Sequence, residues 1–375
     1  MSVIYISSFY PTKREPYRGH FVKKQAEILA RTMNEQLIII KPRVLKRTGN
    51  KNDGKWILEE RDPQVYVFEF INSFGLMSIN ANTHKAYYDN KAEIFKNLEM
   101  NKPKLIISND YWSSIILGNQ LSKEFECQHF NIVHGEESTV TGNSWIHHKK
   151  IKAELKQCDQ VFAVSNRIKT YLEKRFAYKS SIVLHNGLPK YVIDTYNAKK
   201  IIKTDQLVIT SVGNLSYNKG FDKVLAALKS FEEPFTYNII GEGPYRKKIL
   251  SFIEKYSLKG KVNLIGSLDN EEVYFYLEHS DFFILPSRRE AFGIVYLESM
   301  ITKNVCIGSR HQGCEDFIEH GVNGYLVESE EEILTILKNL QLNSRKKNEV
   351  IEKAYETAIH FTWEKNVEKL KKYIR

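Results

Sequence analysis

The feature that most constrains the fold of this chain is a regular alternation of short apolar runs with longer amphipathic stretches, from one end to the other. The runs are continuous and rich in β-branched residues, which is typical of strands covered on both faces. Strands that alternate with helices in this way form parallel sheets joined by right-handed crossovers. The pattern therefore predicts an α/β protein built from doubly wound parallel sheets.

The predicted strands fall into two series, which indicates two domains. We place the first domain at 1–190 and the second at 206–360, with the polar residues 191–205 as a linker. A last helix at 363–375 carries one apolar face and fits against either domain. The predicted strands are 3–6, 37–40, 65–70, 105–107, 130–133, 161–164 and 182–184, followed by 207–212, 236–240, 262–265, 282–285, 305–307 and 325–327.

Composition excludes several classes of protein. The chain has 375 residues, of which 42% are hydrophobic and 27% charged, so it can bury the cores of two ordinary domains and is not disordered. Its 4 cysteines form no CxxC pair, which argues against a disulfide framework and against a zinc site. No apolar run approaches the length that spans a bilayer, and the first residues lack the features of a signal peptide. We expect a cytoplasmic protein.

The net charge of +10 lies entirely in the first half of the chain. Residues 1–190 hold 29 Lys+Arg and 19 Asp+Glu, whereas the remainder holds 26 of each. Such an asymmetry favours an anionic partner for the first domain: nucleic acid, an acidic membrane surface or a phosphorylated substrate. A merely solvated basic surface explains the counts equally well. We interpret the basic cluster at 41–55 as a solvated loop.

The richest candidate site follows the predicted strand 282–285, because ligands of doubly wound sheets bind beyond the carboxyl ends of the strands. A helix is predicted to start near Phe292 or Gly293, and its first amides offer an anion site aided by the helix dipole. Glu290 precedes this helix and Glu298 lies about one and a half turns into it. Carboxylates suit sugar hydroxyls, so the segment predicts a site for an anion and a polyol.

This segment carries a resemblance to a known family. It resembles the Glu-x7-Glu signature of retaining glycosyltransferases with the GT-B fold, family 4, and the resemblance extends over nearly the whole chain. The opening of the chain looks most like members that build bacterial surface polysaccharides, such as teichuronic-acid-type enzymes. The other matching segments are Ser8-Phe9-Tyr10-Pro11, Gly19-His20-Phe21-Val22, Val133-His134-Gly135, Val212-Gly213-Asn214-Leu215 with Lys219-Gly220, Gly241-Glu242-Gly243-Pro244, His320-Gly321-Val322-Asn323-Gly324 and Phe361-Thr362-Trp363-Glu364.

The resemblance implies two Rossmann-like domains that face across a cleft, with the helix from about Trp363 crossing back onto the first. It also implies roles. Glu298 would hold the ribose of a nucleotide-sugar, Glu290 the transferred sugar, and Lys219 the diphosphate. Further groups would assist at the same site. These are the amides of Phe292, Gly293 and Ile294 at the diphosphate, Gly19 near the distal phosphate, and His134 at the transferred sugar.

Asn214 is a departure from the family pattern, which usually has Arg at this position. Asn is neutral and cannot supply the charged, bidentate fork that Arg offers to a diphosphate. Either Lys219 and the helix terminus suffice, or another cation substitutes for the missing Arg. Arg18, Arg246 and Arg288 are candidates by position.

We therefore expect a retaining glycosyltransferase that moves a hexosyl group from a nucleotide diphosphate sugar, with UDP favoured over GDP, to a glycan or a polyprenyl-diphosphate-linked glycan. No Asp-x-Asp triplet occurs in the chain, so we expect no metal requirement and no other cofactor. The basic first domain suits an anionic acceptor and peripheral contact with the inner face of the cell membrane.

Two alternatives remain open at this stage. A nucleotide-sugar 2-epimerase shares the architecture but needs no acceptor, and a non-enzymic nucleic-acid binder would account for the basic charge. An NAD-dependent oxidoreductase is disfavoured because no GxGxxG follows a predicted strand.

Overall fold

The computed structural model describes residues 2–12, 19–45, 55–61, 64–71, 87–88, 102–109, 113–135, 145–198 and 206–375. Within these residues the chain separates into two compact units. Unit 1 comprises Met1–His185 and Trp363–Arg375, and unit 2 comprises Asn186–Thr362. No helix in the described part of the chain is long and apolar enough to cross a membrane.

Unit 1 is built on a sheet in which the order of the described strands is β3-β4-β2-β1-β5-β6-β7-β8. All neighbours are parallel except β3, which runs antiparallel to β4 at one edge. The strands are β1 Ser2–Ser7, β2 Gln36–Leu45, β3 Lys55–Arg61, β4 Gln64–Ile71, β5 Pro103–Asn109, β6 Gln128–Val133, β7 Gln160–Ala163 and β8 Ile182–Val183. Apart from the last helix of the chain, the longer helices among the described residues of this unit are α1 His20–Met33, α2 Ser113–Phe125, α3 Trp145–Leu155 and α4 Asn166–Phe176.

Unit 2 contains a second sheet, parallel throughout, with the strand order β11-β10-β9-β12-β13-β14. Its strands are β9 Leu207–Val212, β10 Phe235–Ile240, β11 Val262–Gly266, β12 Phe282–Ile284, β13 Val305–Ser309 and β14 Tyr325–Val327. Its helices are α5 Lys190–Ala198, α6 Phe221–Leu228, α7 Arg246–Lys255, α8 Asn270–Glu278, α9 Ile294–Ile301, α10 Glu330–Leu342 and α11 Ser344–Ala358. The last helix of the chain, α12 Trp363–Lys371, belongs to unit 1.

The predicted fold class is confirmed: both sheets are doubly wound and their central strands are buried. In unit 2 the order reverses between β9 and β12, and in unit 1 between β1 and β5. At such a switch point the loops diverge from the carboxyl ends of two adjacent strands and leave a crevice for ligands.

Two details of unit 1 differ from the sequence analysis. The sheet has an edge strand, β3, that the apolar pattern did not predict. The cluster at 41–55 is not simply a solvated loop, because β2 extends to Leu45, β3 begins at Lys55, and Lys41 is only 2% exposed within β2.

The stretch predicted as a linker also differs. Most of residues 191–205 lie in α5, which belongs to unit 2, and 199–205 are outside the described residues. The chain passes from unit 1 to unit 2 earlier, between His185 and Asn186. This helix of 9 residues escaped prediction because its buried apolar side chains, Val192, Ile193 and Tyr196, are too few to form a clear helical pattern.

α12 is attached to unit 1 by both apolar and polar contacts. Trp363, Val367 and Leu370 are buried along one helix face. The side chain of Asn366 accepts a hydrogen bond from Gln25 of α1 at 2.7 Å and donates one to the carbonyl of His185 at 2.7 Å. The amphipathic spacing of the last helix therefore corresponds to a packed face in unit 1.

Candidate functional site

The switch point of unit 2 brings together two loops that carry charged side chains. The loop after β9 passes through a 3-10 turn, Tyr217–Lys219, into α6, and the loop after β12 leads through Pro286 and Glu290 to α9. Because β9 and β12 are hydrogen-bonded neighbours, these loops leave the same edge of the sheet side by side.

Lys219 and Glu290, which lie 71 positions apart in the chain, form an ion pair at this edge. The distance from Lys219 Nζ to Glu290 Oε2 is 2.7 Å. The two side chains are 24% and 11% exposed, respectively, so both remain accessible from one side. Ser287 Oγ also donates to Glu290 Oε2, at 3.3 Å. The arrangement places a cation and a hydrogen-bonding carboxylate within reach of one small ligand.

The backbone of Glu290 is fixed by the segment that follows β13. The Glu290 N–H donates to Gln312 Oε1 at 2.8 Å, and the Gly313 N–H donates to the Glu290 carbonyl at 3.0 Å. Both polar backbone groups of Glu290 are therefore held by residues 312–313. The sequence analysis missed Gln312. Its side chain binds a backbone amide in another loop, and no sequence motif indicates such a contact.

The helix α9 begins at Ile294, one or two residues after the predicted start near Phe292 or Gly293, and Gly293 is its N-cap. Gly293 has φ 88°, and a Cβ there would lie 2.5 Å from the Tyr296 ring, so glycine is required for structural reasons alone. Phe292 is 2% exposed. The first-turn amides of a helix have no intrahelical acceptors, and the helix dipole favours an anion beside them. The start of α9, where an anion site was predicted, therefore lies next to the Lys219–Glu290 pair.

Glu298 lies on α9 and is partly buried. Desolvation raises the pKa of its carboxyl group to about 7. Tyr274 of α8 is close enough for the charge of Glu298 to contribute to the raised pKa of that phenol, after the larger effect of burial. At neutral pH the Glu298 carboxyl group is therefore poised between its two protonation states, and a ligand that donates hydrogen bonds would favour the ionised one.

Asn214 follows β9 and is exposed, with Oδ1 directed toward Gly243. Two of the three candidate substitutes for the family's Arg have acidic partners. Arg288 makes a bidentate pair with Asp222, at 2.8 and 2.6 Å. Arg246 contacts Glu242 at 3.3 Å in an exposed pair. Arg18 lies outside the described residues.

In unit 1, Gly19 is the N-cap of α1 in the left-handed conformation, with φ 73°. A Cβ at this position would lie 1.9 Å from the carbonyl oxygen of Phe9 in the loop after β1. Glycine is therefore required at position 19 because the backbone there lies against the backbone of Phe9. A role at a phosphate stays a prediction.

His134 follows β6 and is a neutral, oriented imidazole. Its Nε2 lies 2.6 Å from Asn109 Oδ1 at the end of β5, and its ring contacts Phe21 of α1 with centroids 4.9 Å apart. Burial lowers the pKa of His134 to about 3. Because a neutral imidazole carries one proton and Asn109 Oδ1 can only accept, that proton is on Nε2. Nδ1 is then an acceptor, buried and without a partner among the described residues.

Comparison with known proteins decides the class. Residues 192–374 match the family model of the glycosyl transferases group 1. The chain is a glycosyltransferase with the GT-B fold.

Two relatives and two solved structures illustrate this similarity. An uncharacterized glycosyltransferase of Methanocaldococcus jannaschii is 28% identical over 75% of this chain and 78% of its own length. An amylovoran biosynthesis glycosyltransferase of Erwinia amylovora is 32% identical over 32% of each chain. Sucrose-phosphate synthase of Thermosynechococcus elongatus superposes with a TM-score of 0.75 at 18% identity, over 99% of this chain and 97% of that one. Anabaena HepE in complex with UDP superposes with a TM-score of 0.74 at 15% identity, over 99% of each chain.

The predicted site residues therefore form two groups, one in unit 2 and one in unit 1. In unit 2, Lys219 and Glu290 are in direct contact, and Phe292, Gly293, Ile294 and Glu298 lie on the segment that continues from Glu290. In unit 1, Gly19 begins the helix whose Phe21 contacts His134. Their roles toward a substrate remain predictions.

Proposed function

We propose that this glycosyltransferase moves a hexosyl group from a nucleotide diphosphate sugar, with UDP as the nucleotide, to a hydroxyl group of a glycan or lipid-linked glycan during synthesis of a bacterial surface polysaccharide. We propose further that the anomeric configuration is retained and that no metal is required. The observation that carries the proposal is the Lys219–Glu290 pair beside the start of α9.

The chemical demand on such a site is stabilisation of the leaving group. Transfer breaks the bond between the anomeric carbon and the diphosphate oxygen, so negative charge accumulates on the diphosphate. The Lys219 ammonium and the amides at the start of α9 are fixed in place before the reaction, and groups preorganised in this way stabilise developing charge most effectively. They supply the positive field that a metal ion would otherwise provide.

The two carboxyl groups suit the two ends of the donor. Glu290 is anchored through its backbone and would accept hydrogen bonds from hydroxyls of the transferred sugar. Glu298, farther along the helix, would do so from the ribose. The diphosphate would then lie between them at the helix start, with Lys219 shared between it and Glu290.

Retention requires the acceptor to approach from the face that the diphosphate leaves. The acceptor oxygen forms its bond to the anomeric carbon, and its proton passes to the departing phosphate oxygen, so no separate basic residue is needed. His134 would accept a hydrogen bond from a sugar hydroxyl through Nδ1 and does not act as an acid, since its imidazole is neutral.

Two considerations support the choice of substrates. HepE, which shares the fold, was solved with UDP, and the Erwinia relative is named for the synthesis of a polysaccharide. The excess of 29 basic over 19 acidic residues in 1–190 suits an acceptor that carries a diphosphate and suits an anionic lipid surface.

The test is a product analysis with the purified chain. UDP-, GDP- and ADP-sugars are each incubated with and without a polyprenyl-diphosphate-linked acceptor, in EDTA and in magnesium. We expect transfer from a UDP-sugar that EDTA does not reduce, with the donor's anomeric configuration retained in the product by NMR. Release of an epimerised sugar without acceptor would contradict the proposal, as would a strict need for magnesium.

Glu290→Gln provides the matched variant. We expect its transfer rate to fall by about 100-fold or more, because the amide is neutral and accepts fewer hydrogen bonds from the sugar. Glu315→Gln, whose side chain is exposed on the 3-10 turn Gly313–Asp316, serves as the control and should retain the wild-type rate. An unchanged rate in Glu290→Gln would remove Glu290 from the mechanism.

A further inference from the structure

Two segments of unit 2 carry the proposed donor-binding side chains of Lys219 and Glu290. The Lys219 turn comprises residues 217–222, and the Glu290 loop comprises residues 286–290. They lie against each other: a Cβ on Gly220 would come within 2.2 Å of the Pro286 carbonyl oxygen. The relative position of Lys219 and Glu290 therefore depends on how these two segments are joined.

Arg288, in the middle of the Glu290 loop, makes most of the described contacts that join them. Its Nη1 and Nη2 donate to the two oxygens of Asp222 at 2.8 and 2.6 Å. Nη1 also donates to the Tyr217 carbonyl at 2.8 Å, and the guanidinium stacks over the Tyr217 ring at 3.9 Å. The Arg288 N–H donates to the carbonyl of Asn218 at 2.7 Å. The partners lie on both sides of Lys219 in sequence.

The chemistry of these contacts is specific to arginine. The planar guanidinium binds a carboxylate with two parallel hydrogen bonds while its face stacks on an aromatic ring, and an ammonium group can do neither. Arg288 and Asp222 are 23% and 18% exposed, so the pair is partly shielded from solvent. The charge of Arg288 is largely compensated by Asp222, which makes Arg288 a poor substitute for the Arg that Asn214 replaces.

We propose that Arg288 is a positioning residue that clamps the Glu290 loop to the Lys219 turn and so fixes the spacing of the proposed diphosphate and sugar contacts. This inference rests on the proposed function for its kinetic consequence but not for its structural one. Lys219 has a long flexible stem, and Glu290 stands on a loop. A displacement of about 1 Å between reacting groups can cost about 100-fold in rate.

The clamp predicts a particular kinetic signature. Arg288→Lys and Asp222→Asn should each lower kcat by about 10- to 100-fold while the Kd for UDP changes by less than about threefold. The double variant should lose no more than the worse of the two single variants, because the two residues act as a unit. Arg345→Lys, which alters an exposed Arg–Glu pair on α11, is the control and should match wild type.

Direct binding of the diphosphate by Arg288 gives a different result. In that case Asp222→Asn would release the guanidinium and tighten the binding of UDP, whereas Arg288→Lys would weaken it. Opposite changes in the Kd for UDP would therefore overturn the positioning role.

Hydrogen exchange of the whole protein tests the clamp without reference to catalysis. We expect Arg288→Lys to accelerate amide exchange at 217–222 and 286–290 by about tenfold or more, and Arg345→Lys to leave both segments unchanged. Unchanged exchange in both segments would overturn the clamp. A wild type that transfers no sugar would overturn the proposed function, and the exchange result would still decide the clamp.

Discussion

Both units contain a doubly wound sheet with a switch point, and the described side chains at the carboxyl ends of the two sheets differ in charge. In unit 2 the described edge presents ion pairs, Lys219 with Glu290 and Arg288 with Asp222. In unit 1 the described part of the corresponding edge presents a neutral hydrogen-bonded pair, His134 with Asn109. The excess positive charge of the chain nevertheless belongs to residues 1–190.

This contrast shows that net charge and site charge are separate properties. A diphosphate needs fixed positive groups at the point where it binds. In our proposal unit 2 provides them, although residues 191–375 hold equal numbers of basic and acidic residues. The basic residues of 1–190 would instead act together through a long-range field, as we propose for the attraction of an anionic acceptor or lipid layer. The two halves can therefore be perturbed independently.

The largest expected effect comes from removing the cation of unit 2. Lys219→Met deletes the ammonium group that we propose contacts the diphosphate, and we expect kcat/KM to fall by about 100- to 1,000-fold. Lys223→Met removes a cation from the next turn, where it donates to the Glu328 carbonyl, and serves as the control. Steady-state kinetics that show equal activity for both variants would contradict the proposed role of Lys219.

A smaller effect is expected from the neutral edge of unit 1. His134→Gln should lower the transfer rate by about tenfold, because it displaces the acceptor atom that Asn109 orients. The folded pKa of His134 lies near 3, below its unfolded value, so its contribution to stability is complete above pH 6.5 and is lost as the pH falls below that value. We therefore expect acid destabilisation to be milder in His134→Gln, with a slope reduced by up to about 1.4 kcal/mol per pH unit.

Denaturation curves of wild type and variant between pH 7 and pH 5 measure this difference. Identical slopes would show that His134 is not held neutral in the folded protein.

Glu298 in unit 2 should depend on pH in the opposite direction. Its folded pKa of about 7 lies above the ordinary value of 4.5, so the folded state binds a proton that the unfolded state has released. Stability is therefore expected to fall as the pH rises from 4.5 to 7, and Glu298→Gln should be stabilised relative to wild type at pH 8 but not at pH 4. Thermal unfolding at the two pH values checks this.

A ligand provides a second readout for the same residue. Hydroxyls that bind the ionised carboxyl group would lower its pKa, so UDP binding at pH 6.5 should release a fraction of a proton. Calorimetry in buffers of different ionisation enthalpy measures the release, and Glu298→Gln should abolish it. Proton uptake on binding would contradict the assignment.

The smallest expected effect concerns Asn214. Asn214→Arg would add a guanidinium at the carboxyl end of β9, and we expect UDP to bind about three- to tenfold more tightly. Asn214→Gln is the control of similar length and neutral charge. If Asn214→Arg leaves the Kd for UDP unchanged, then residue 214 does not face the diphosphate in this chain.

The sequence predicted most of the fold because the strands of both sheets are continuous apolar runs. β3 was missed because its apolar run, Trp56–Leu58, is only three residues long and the other residues of Lys55–Arg61 are charged, as suits a strand at the edge of a sheet. Lys41 shows the reverse case, since a lysine in a basic cluster is buried within β2. Local composition cannot distinguish these positions, because burial depends on which strands become neighbours.

The candidate site was predicted in its parts but not in its assembly. Lys219 and Glu290 were both expected at strand ends, and their distance of 2.7 Å follows from the adjacency of β9 and β12. Gln312 and the Arg288–Asp222 pair were not assigned these contacts, because their partners lie in loops whose conformation the sequence does not specify. Motifs therefore identify the groups that contact a ligand more readily than the groups that hold them.

The return of α12 to unit 1 has a consequence for how the protein is made. Unit 2 lies between two pieces of unit 1, and its own ends are joined by the bridge between Leu188 and Thr362. On the ribosome, unit 2 is therefore fully synthesised before unit 1 receives Trp363 and the rest of its last helix. Until then, the surface of α1 that α12 covers in the finished protein stays without its partner, so we expect unit 1 to complete its fold only after unit 2 has been synthesised.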